Sequence, residues 1–283
     1  MLKKIKIFLE LIKFEHTIFA LPFAYLGMIL AKKGRVTFGK FFWITVAMAS
    51  ARTAGMLLNR LIDRAIDAKN PRTQDRAIVT GEISVSLAWL SVALALFFFF
   101  LSAFMLNPLC FKLSFIAIAI LTGYHYVKRF SFLCHLAIGL VLAIAPMGGW
   151  LAVTGSFAWQ PIFLSLAVLF WVAGFDILYS LQDAEFDRAN ELHSIPVKFG
   201  QRKALQIAGY LHLGMVLFLI IFGLVMHLGI IYWIGVALSA VFLKVEHSLI
   251  SEGDLSQINA AFFTINGWIG ILLLIFTFLE TFR

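Results

Sequence analysis

An all-α, multi-pass membrane protein with about nine transmembrane helices around a central cavity is the fold class this sequence predicts. Three observations carry the prediction. Of 283 residues, 61% are apolar and 13% charged, about half the charged fraction of an ordinary globular domain, so a soluble chain of this length would lack the polar side chains to cover its surface. The apolar residues run on continuously, whereas the strands of an outer-membrane barrel swap apolar and polar positions at every residue. Several of these runs match the ~20 residues a helix needs to cross the hydrocarbon layer.

In chain order, the first span, 17–31, follows an amphipathic stretch from Ile5 to Phe14. It carries no small-residue cleavage site of the kind that marks a removable leader, so it is expected to stay. The second, 41–59, is apolar except for Arg52 and ends on Asn59. Spans 83–106, 132–153 and 204–226 are long enough to cross with room for tilt, while 17–31, 109–127 and 228–244 are short or interrupted. The sixth, 161–181, carries Asp176 within it and Asp183 just beyond its end, and the ninth, 257–279, closes the chain. One transmembrane domain over 1–283 is expected. Asp63 and Asp183 each follow an even-numbered span and each precede a long loop, which reads as two pseudo-repeated four-helix units plus a ninth helix.

Most of the 23 Lys and Arg residues fall before the first span or in the loops after the even-numbered ones. Basic residues are retained in the cytoplasm, so the N-terminus and those loops are expected there, in the inner membrane of a cell. The formal charge of +8 partly records this retention and also suits an anionic membrane surface or an anionic substrate. Nucleic acid is excluded as a partner, because the basic residues are dispersed over many loops and form no single soluble module. Cys110 and Cys134 lack metal-ligand spacing and read as small buried hydrophobes. The histidines show no zinc pattern. Among them, His16 is placed to face a site, while His135, His212 and His227 read as packed or interfacial.

With only 15 acidic residues, their positions carry weight. Asn59, Asp63 and Asp67 are spaced four apart, and so are Tyr179, Asp183 and Asp187. That spacing stacks side chains on one helix face. Such carboxylates repel unless a positive charge separates them, and beside a bilayer they are costly. Arg60, Arg64 or Arg76 would supply the charge if the first cluster were an ordinary helix-end salt bridge. Two such clusters, each followed by basic residues, point instead to Mg2+, which prefers carboxylate oxygens and completes its octahedron with water and substrate phosphate. The chemistry this implies is departure of a diphosphate. Arg72 and Arg76, in the turn Asn70 to Arg76, offer guanidinium forks for its oxygens, and Lys128 and Arg129 add two cations on the same side of the membrane.

At these residues the chain resembles the UbiA superfamily of intramembrane prenyltransferases. Asn59 to Asp67, with Arg72, Thr73 and Arg76, is similar to the first aspartate-rich motif of that family, and Tyr179 to Asp187 to the second. Tyr124 to Arg129 resembles its YPxxKR element, with His125 where the family has proline. His193 to Gly200 and Glu246 to Leu249 resemble the 4-hydroxybenzoate polyprenyltransferase branch, and Ala51 to Met56 its relatives in menaquinone synthesis. The resemblance implies Mg2+ held by Asp63, Asp67, Asp183 and Asp187, and a polyprenyl diphosphate contacted by Asn59, Arg72, Arg76, Lys128 and Arg129, with Tyr124 and Tyr179 also lining the substrate site. The prenyl group would pass to the ring of a hydroxylated aromatic acid, a hydroxybenzoate or a naphthoate, on the way to ubiquinone or menaquinone. The thirty Phe residues would partly line a channel for the isoprenoid tail.

Arg52 lies seven residues before Asn59, and Asp176 seven before Asp183, so each sits two helical turns deeper on the face of its motif. Two readings stand. Arg52 and Asp176 pair with each other, or Arg52 holds the carboxylate of the acceptor while Asp176 orients the acceptor or stabilises positive charge. A cation-coupled transporter is the alternative class, since it too places Asp and Arg inside a bundle, although transport sites usually lie near the midplane.

Overall fold

The computed structural model describes residues 7, 9–12, 14–32 and 34–281, without the side chains of 14–20 and 262. The amphipathic stretch from Ile5 to Phe14 lies largely outside the described residues, as does the side chain of His16. The helices, in order, are α1 (Phe14–Ala31), α2 (Phe38–Ile62), α3 (Arg64–Asp67), α4 (Val85–Leu106), α5 (Pro108–Val127) and α6 (Cys134–Thr154). After them come α7 (Gln160–Ser180), a 3₁₀ turn (Leu181–Asp183), α8 (Ala184–Ala189), α9 (Ile195–Phe199), α10 (Gln201–Val225) and α11 (Ile230–Ser248). A π-helical turn (Ala260–Ile265) then leads into α12 (Asn266–Thr281). Among the described residues eight helices are long and apolar enough to cross a membrane, and α1 adds a shorter apolar helix. The chain is an integral membrane protein.

The ends of these helices follow local chemistry. Thr37 and Ser84 cap α2 and α4 by accepting from Lys40 N and Leu87 N, and Asn107 caps α5 by accepting from Cys110 N, with Pro108 at the first helical position. Gly155, at φ 68°, ends α6 in the left-handed conformation that glycine adopts without steric cost. The expected spans hold to within a few residues except at the C-terminal end, where α11 runs on to Ser248 and the ninth span begins as the π turn. There the Asn266 side chain donates to the Ala261 carbonyl, satisfying a backbone group in the widened turn.

Large apolar side chains lie on both sides of the bundle wall, because lipid replaces water outside. Trp89, Leu90, Leu94, Phe97 and Phe104 of α4 are exposed, and an exposed apolar belt of this kind marks a membrane-facing surface. Inside, Phe23, Leu164, Trp171, Met215, Phe222 and Ile269 build the largest core cluster, between α1, α7, α10 and α12. Small residues bring α1 against α6: a Cβ on Gly149 would collide with the Ala24 carbonyl, and one on Gly27 with the Pro146 carbonyl. Helices in lipid associate through such close backbone packing. Gly149→Val is expected to cost about 1–3 kcal/mol by overpacking, read as a lowered thermal midpoint in detergent.

Candidate active site

Both aspartate motifs sit where a long helix breaks. Asp63 caps α2 at φ −94°, ψ 7°, and the chain restarts as α3, which ends on Asp67. Asp183 ends the 3₁₀ turn after α7 and is the N-cap residue of α8 at φ −99°, ψ 1°, and the chain restarts as α8, which carries Asp187. The continuous helical face expected from the four-residue spacing is therefore corrected to the same kink at both motifs. The near-identical backbone at the two aspartates is the local form of the predicted repeat. A kink lets each second carboxylate leave the helix axis of the first, which lowers the repulsion that straight stacking would impose.

Each of the four carboxylates meets a different cation. Arg72 grips Asp183 with a fork, Nη2 to Oδ2 at 2.6 Å and Nε to Oδ1 at 2.9 Å, and its Nη1 donates to the Tyr179 hydroxyl. Arg76 pairs with Asp67 at 2.5 Å, Lys128 with Asp187 at 3.4 Å, and Arg129 with Asp63 at 3.1 Å. Arg72 belongs to the loop of the first motif and Asp183 to the second, so this fork ties the two halves together. Asn70 adds a bond to Asp183 Oδ1, and Thr73 donates to the Asp67 carbonyl. Burial pushes the Asp63 carboxyl above its ordinary range against the pull of Arg129 and Lys128. Arg72 moves the other way: burial opposes its charge, yet the Asp183 contact outweighs burial and raises its pKa.

Asn59 Nδ2 reaches both Asp63 and His125 Nδ1, at 3.3 and 3.4 Å. His125, which stands where the resembling element has proline, is 2% exposed. Its ring packs against Tyr124 and its Nδ1 lies within hydrogen-bond reach of the Asn59 amide. Arg60 and Asn70 were missed, although both are buried and line the cavity. Their positions inside the first motif were the available signal.

One cavity of about 1130 Å³ joins these groups. Its polar end is formed by the four aspartates with Arg72, Arg76 and Lys128, while Ile44, Met48, Phe99, Leu113, Ala145 and Leu151 line its apolar extension. Arg52, Tyr124 and Asp176 line it below the motifs. Asp176 does not pair with Arg52: its Oδ2 bonds His135 Nδ1 at 2.7 Å. Arg52 has no hydrogen-bond or ion-pair partner among the described residues, and its Nε is shielded. His135, read from sequence as packed or interfacial, is 2% exposed and bonded inside the cavity wall. Its pairing with Asp176 spans two helices, so residue spacing could not reveal it.

Among the described residues no three His, Cys, Asp or Glu side chains gather closely enough to hold a metal by themselves. Two oxygen-donor carboxylates per motif do fit Mg2+, which commonly takes one or two carboxylates and leaves its remaining positions to water and substrate phosphate. Asp63, Asp67, Asp183 and Asp187 are the residues that would hold it.

The model of the UbiA prenyltransferase family matches residues 20–268. The chain belongs to that family, and this assignment takes the place of the transport reading. It is 28% identical over 256 residues to the 4-hydroxybenzoate octaprenyltransferase of Francisella tularensis subsp. novicida, covering 90% of this chain and 89% of that one. With the 4-hydroxybenzoate octaprenyltransferase of Pseudoalteromonas translucida it shares 27% over 251 residues, 87% of this chain and 84% of the other. Among solved structures, the apo UbiA homologue of Aeropyrum pernix K1 superposes with a TM-score of 0.84 at 34% identity, over 92% of this chain and 95% of that one. The UbiA homologue of Archaeoglobus fulgidus, solved bound to GPP and Mg2+, gives 0.78 at 23% identity over 98% and 100%, a likeness of fold.

Proposed function

We propose that this protein transfers a polyprenyl group from its diphosphate to the ring of a hydroxylated aromatic acid, in a Mg2+-dependent reaction of quinone synthesis. The observation that carries the reading is the layering of one cavity: four aspartates with Arg72, Arg76 and Lys128 at the mouth, an unpaired guanidinium two turns below, and an apolar extension beyond. Mg2+ bound at Asp63, Asp67, Asp183 and Asp187 supplies charge neutralisation for the departing diphosphate. Asn59, Arg72, Arg76, Lys128 and Arg129 face the same oxygens. Each of the four cations now rests on an aspartate, and each changes partner to phosphate when the donor arrives. Tyr124 and Tyr179 wall the region where the allylic C–O bond breaks. The low-dielectric cavity strengthens these contacts and keeps out the water that would quench an allylic cation.

Arg52 binds the acceptor carboxylate, and Asp176 faces the acceptor across the cavity. The cavity exceeds the ~300–1,000 Å³ of ordinary small-molecule pockets, which suits a long isoprenoid tail. The whole chain acts as one transmembrane domain with both motifs toward the cytoplasm. Two related acceptors, hydroxybenzoate and naphthoate, fit the same chemistry.

Membranes carrying the protein are expected to incorporate labelled prenyl diphosphate into one member of a panel of hydroxybenzoic and hydroxynaphthoic acids. EDTA should abolish incorporation and added Mg2+ restore it. Incorporation that persists after chelation, or none with any aromatic acid, overturns the proposal.

A further inference from the structure

The transfer proposed above forms a C–C bond at a ring carbon that still bears hydrogen, so a proton must leave inside the cavity. Five of the carboxylates that line the cavity differ in their partners. Asp63, Asp67, Asp183 and Asp187 each face Arg or Lys. Asp176 faces a histidine instead.

The geometry of that histidine fixes its role. The backbone N–H of Ile195, the first residue of α9, points at His135 Nε2 at 3.3 Å. Nε2 therefore accepts, which leaves the ring proton on Nδ1, where it is donated to Asp176 Oδ2 at 2.7 Å. The His135 side chain is 2% exposed and that of Asp176 27%. The carboxylate thus looks into the cavity while the imidazole is sealed in the wall behind it. Asp176 Oδ1 has no partner among the described residues. Arg52, Tyr124 and Asp176 line the same cavity as the four motif aspartates.

Resting on the proposed transfer, we infer that Asp176 takes the ring proton and that His135 is the positioning residue that holds it for this task. The allylic C–O bond breaks with both electrons leaving on diphosphate. The ring carbon next to the hydroxyl-bearing carbon supplies a π pair to the new C–C bond. Its C–H bond then breaks, the electron pair returns to the ring, and the proton passes to Asp176 Oδ1. The Nδ1–H bond keeps Oδ2 occupied and the carboxylate plane fixed, an arrangement that orients a base without adding a permanent cation to weaken it.

The test uses the full-length protein, labelled prenyl diphosphate, and the acceptor that the wild-type protein prenylates, with hydrogen or deuterium at the positions flanking its hydroxyl. Wild type is expected to show no deuterium effect, because ionisation of the donor limits the rate. Asp176→Asn is expected to slow product formation by about 10²-fold or more and to expose a primary deuterium effect. His135→Gln should lose less, show the same effect, and leave the KM for the donor unchanged. Donor binding is measured for each variant, and where Asp176→Asn does not bind it, Asp176→Glu decides by the same isotope criterion. A slowed reaction without an isotope effect, or an unchanged rate, overturns the assignment. If wild type prenylates no aromatic acid, it is the transfer itself that fails; if wild type is active and the variants lack the effect, only the pair does.

Discussion

Asp63→Asn and Asp183→Asn are each expected to lower prenyl transfer by about 10²–10³-fold at saturating Mg2+, the loss that follows when one group aimed at developing charge is removed. Asn matches Asp in size and still accepts one hydrogen bond from Arg129 or Arg72, so the fold should hold. What disappears is the negative charge, and with it one oxygen donor suited to a hard cation. The cross-motif fork makes Asp183 the more sensitive position. It accepts from Arg72 twice and from Asn70 once, so its replacement also loosens the loop that carries Arg76. Asp254→Asn, on the exposed turn after α11, serves as the control and should leave turnover unchanged. Near-normal rates for either motif variant would remove the aspartates from the reaction.

The bundle was legible in the sequence because a bilayer imposes one simple demand, about 20 apolar residues per crossing, and the predicted spans accordingly match the helices closely. The aspartates were legible for the complementary reason: a charge beside lipid is expensive, so those that remain stand out. Partner choice was not legible. Asp67 does meet Arg76 from its own loop, as the helix-end salt-bridge reading allowed, but Asp63 meets Arg129, from beyond α5, and Asp183 meets Arg72 from the opposite motif. These contacts depend on how α2, α5 and α7 are packed, which no local spacing encodes. The kinks at Asp63 and Asp183 were hidden for a different reason. Neither is preceded or followed by Gly or Pro, and the break is made by residues that propensity alone would carry through.

Arg52→Leu is expected to raise the KM of the aromatic acid by about 10–100-fold, the cost of losing roughly 1.5–3 kcal/mol of charged hydrogen bonding, while the KM of the prenyl diphosphate stays near its wild-type value. The sequence left two fates for this guanidinium, a pair with Asp176 or a hold on a substrate carboxylate. Asp176 is committed to His135, which leaves Arg52 without a counter-charge among the described residues. A cation two turns inside a membrane helix, with Nε shielded from solvent, is costly unless an anion comes to it. In the proposed reaction the diphosphate is a poor candidate, because Arg72, Arg76, Lys128 and Arg129 would meet its charge at the mouth. The carboxylate of the acceptor is the remaining anion of the proposed reaction, and binding it here places the ring between Arg52 and Asp176, below the breaking C–O bond. Arg52→Lys separates charge from geometry: it keeps the cation but loses the fork, and should recover only part of the affinity. Equal increases in both KM values for Arg52→Leu would return Arg52 to a general structural role.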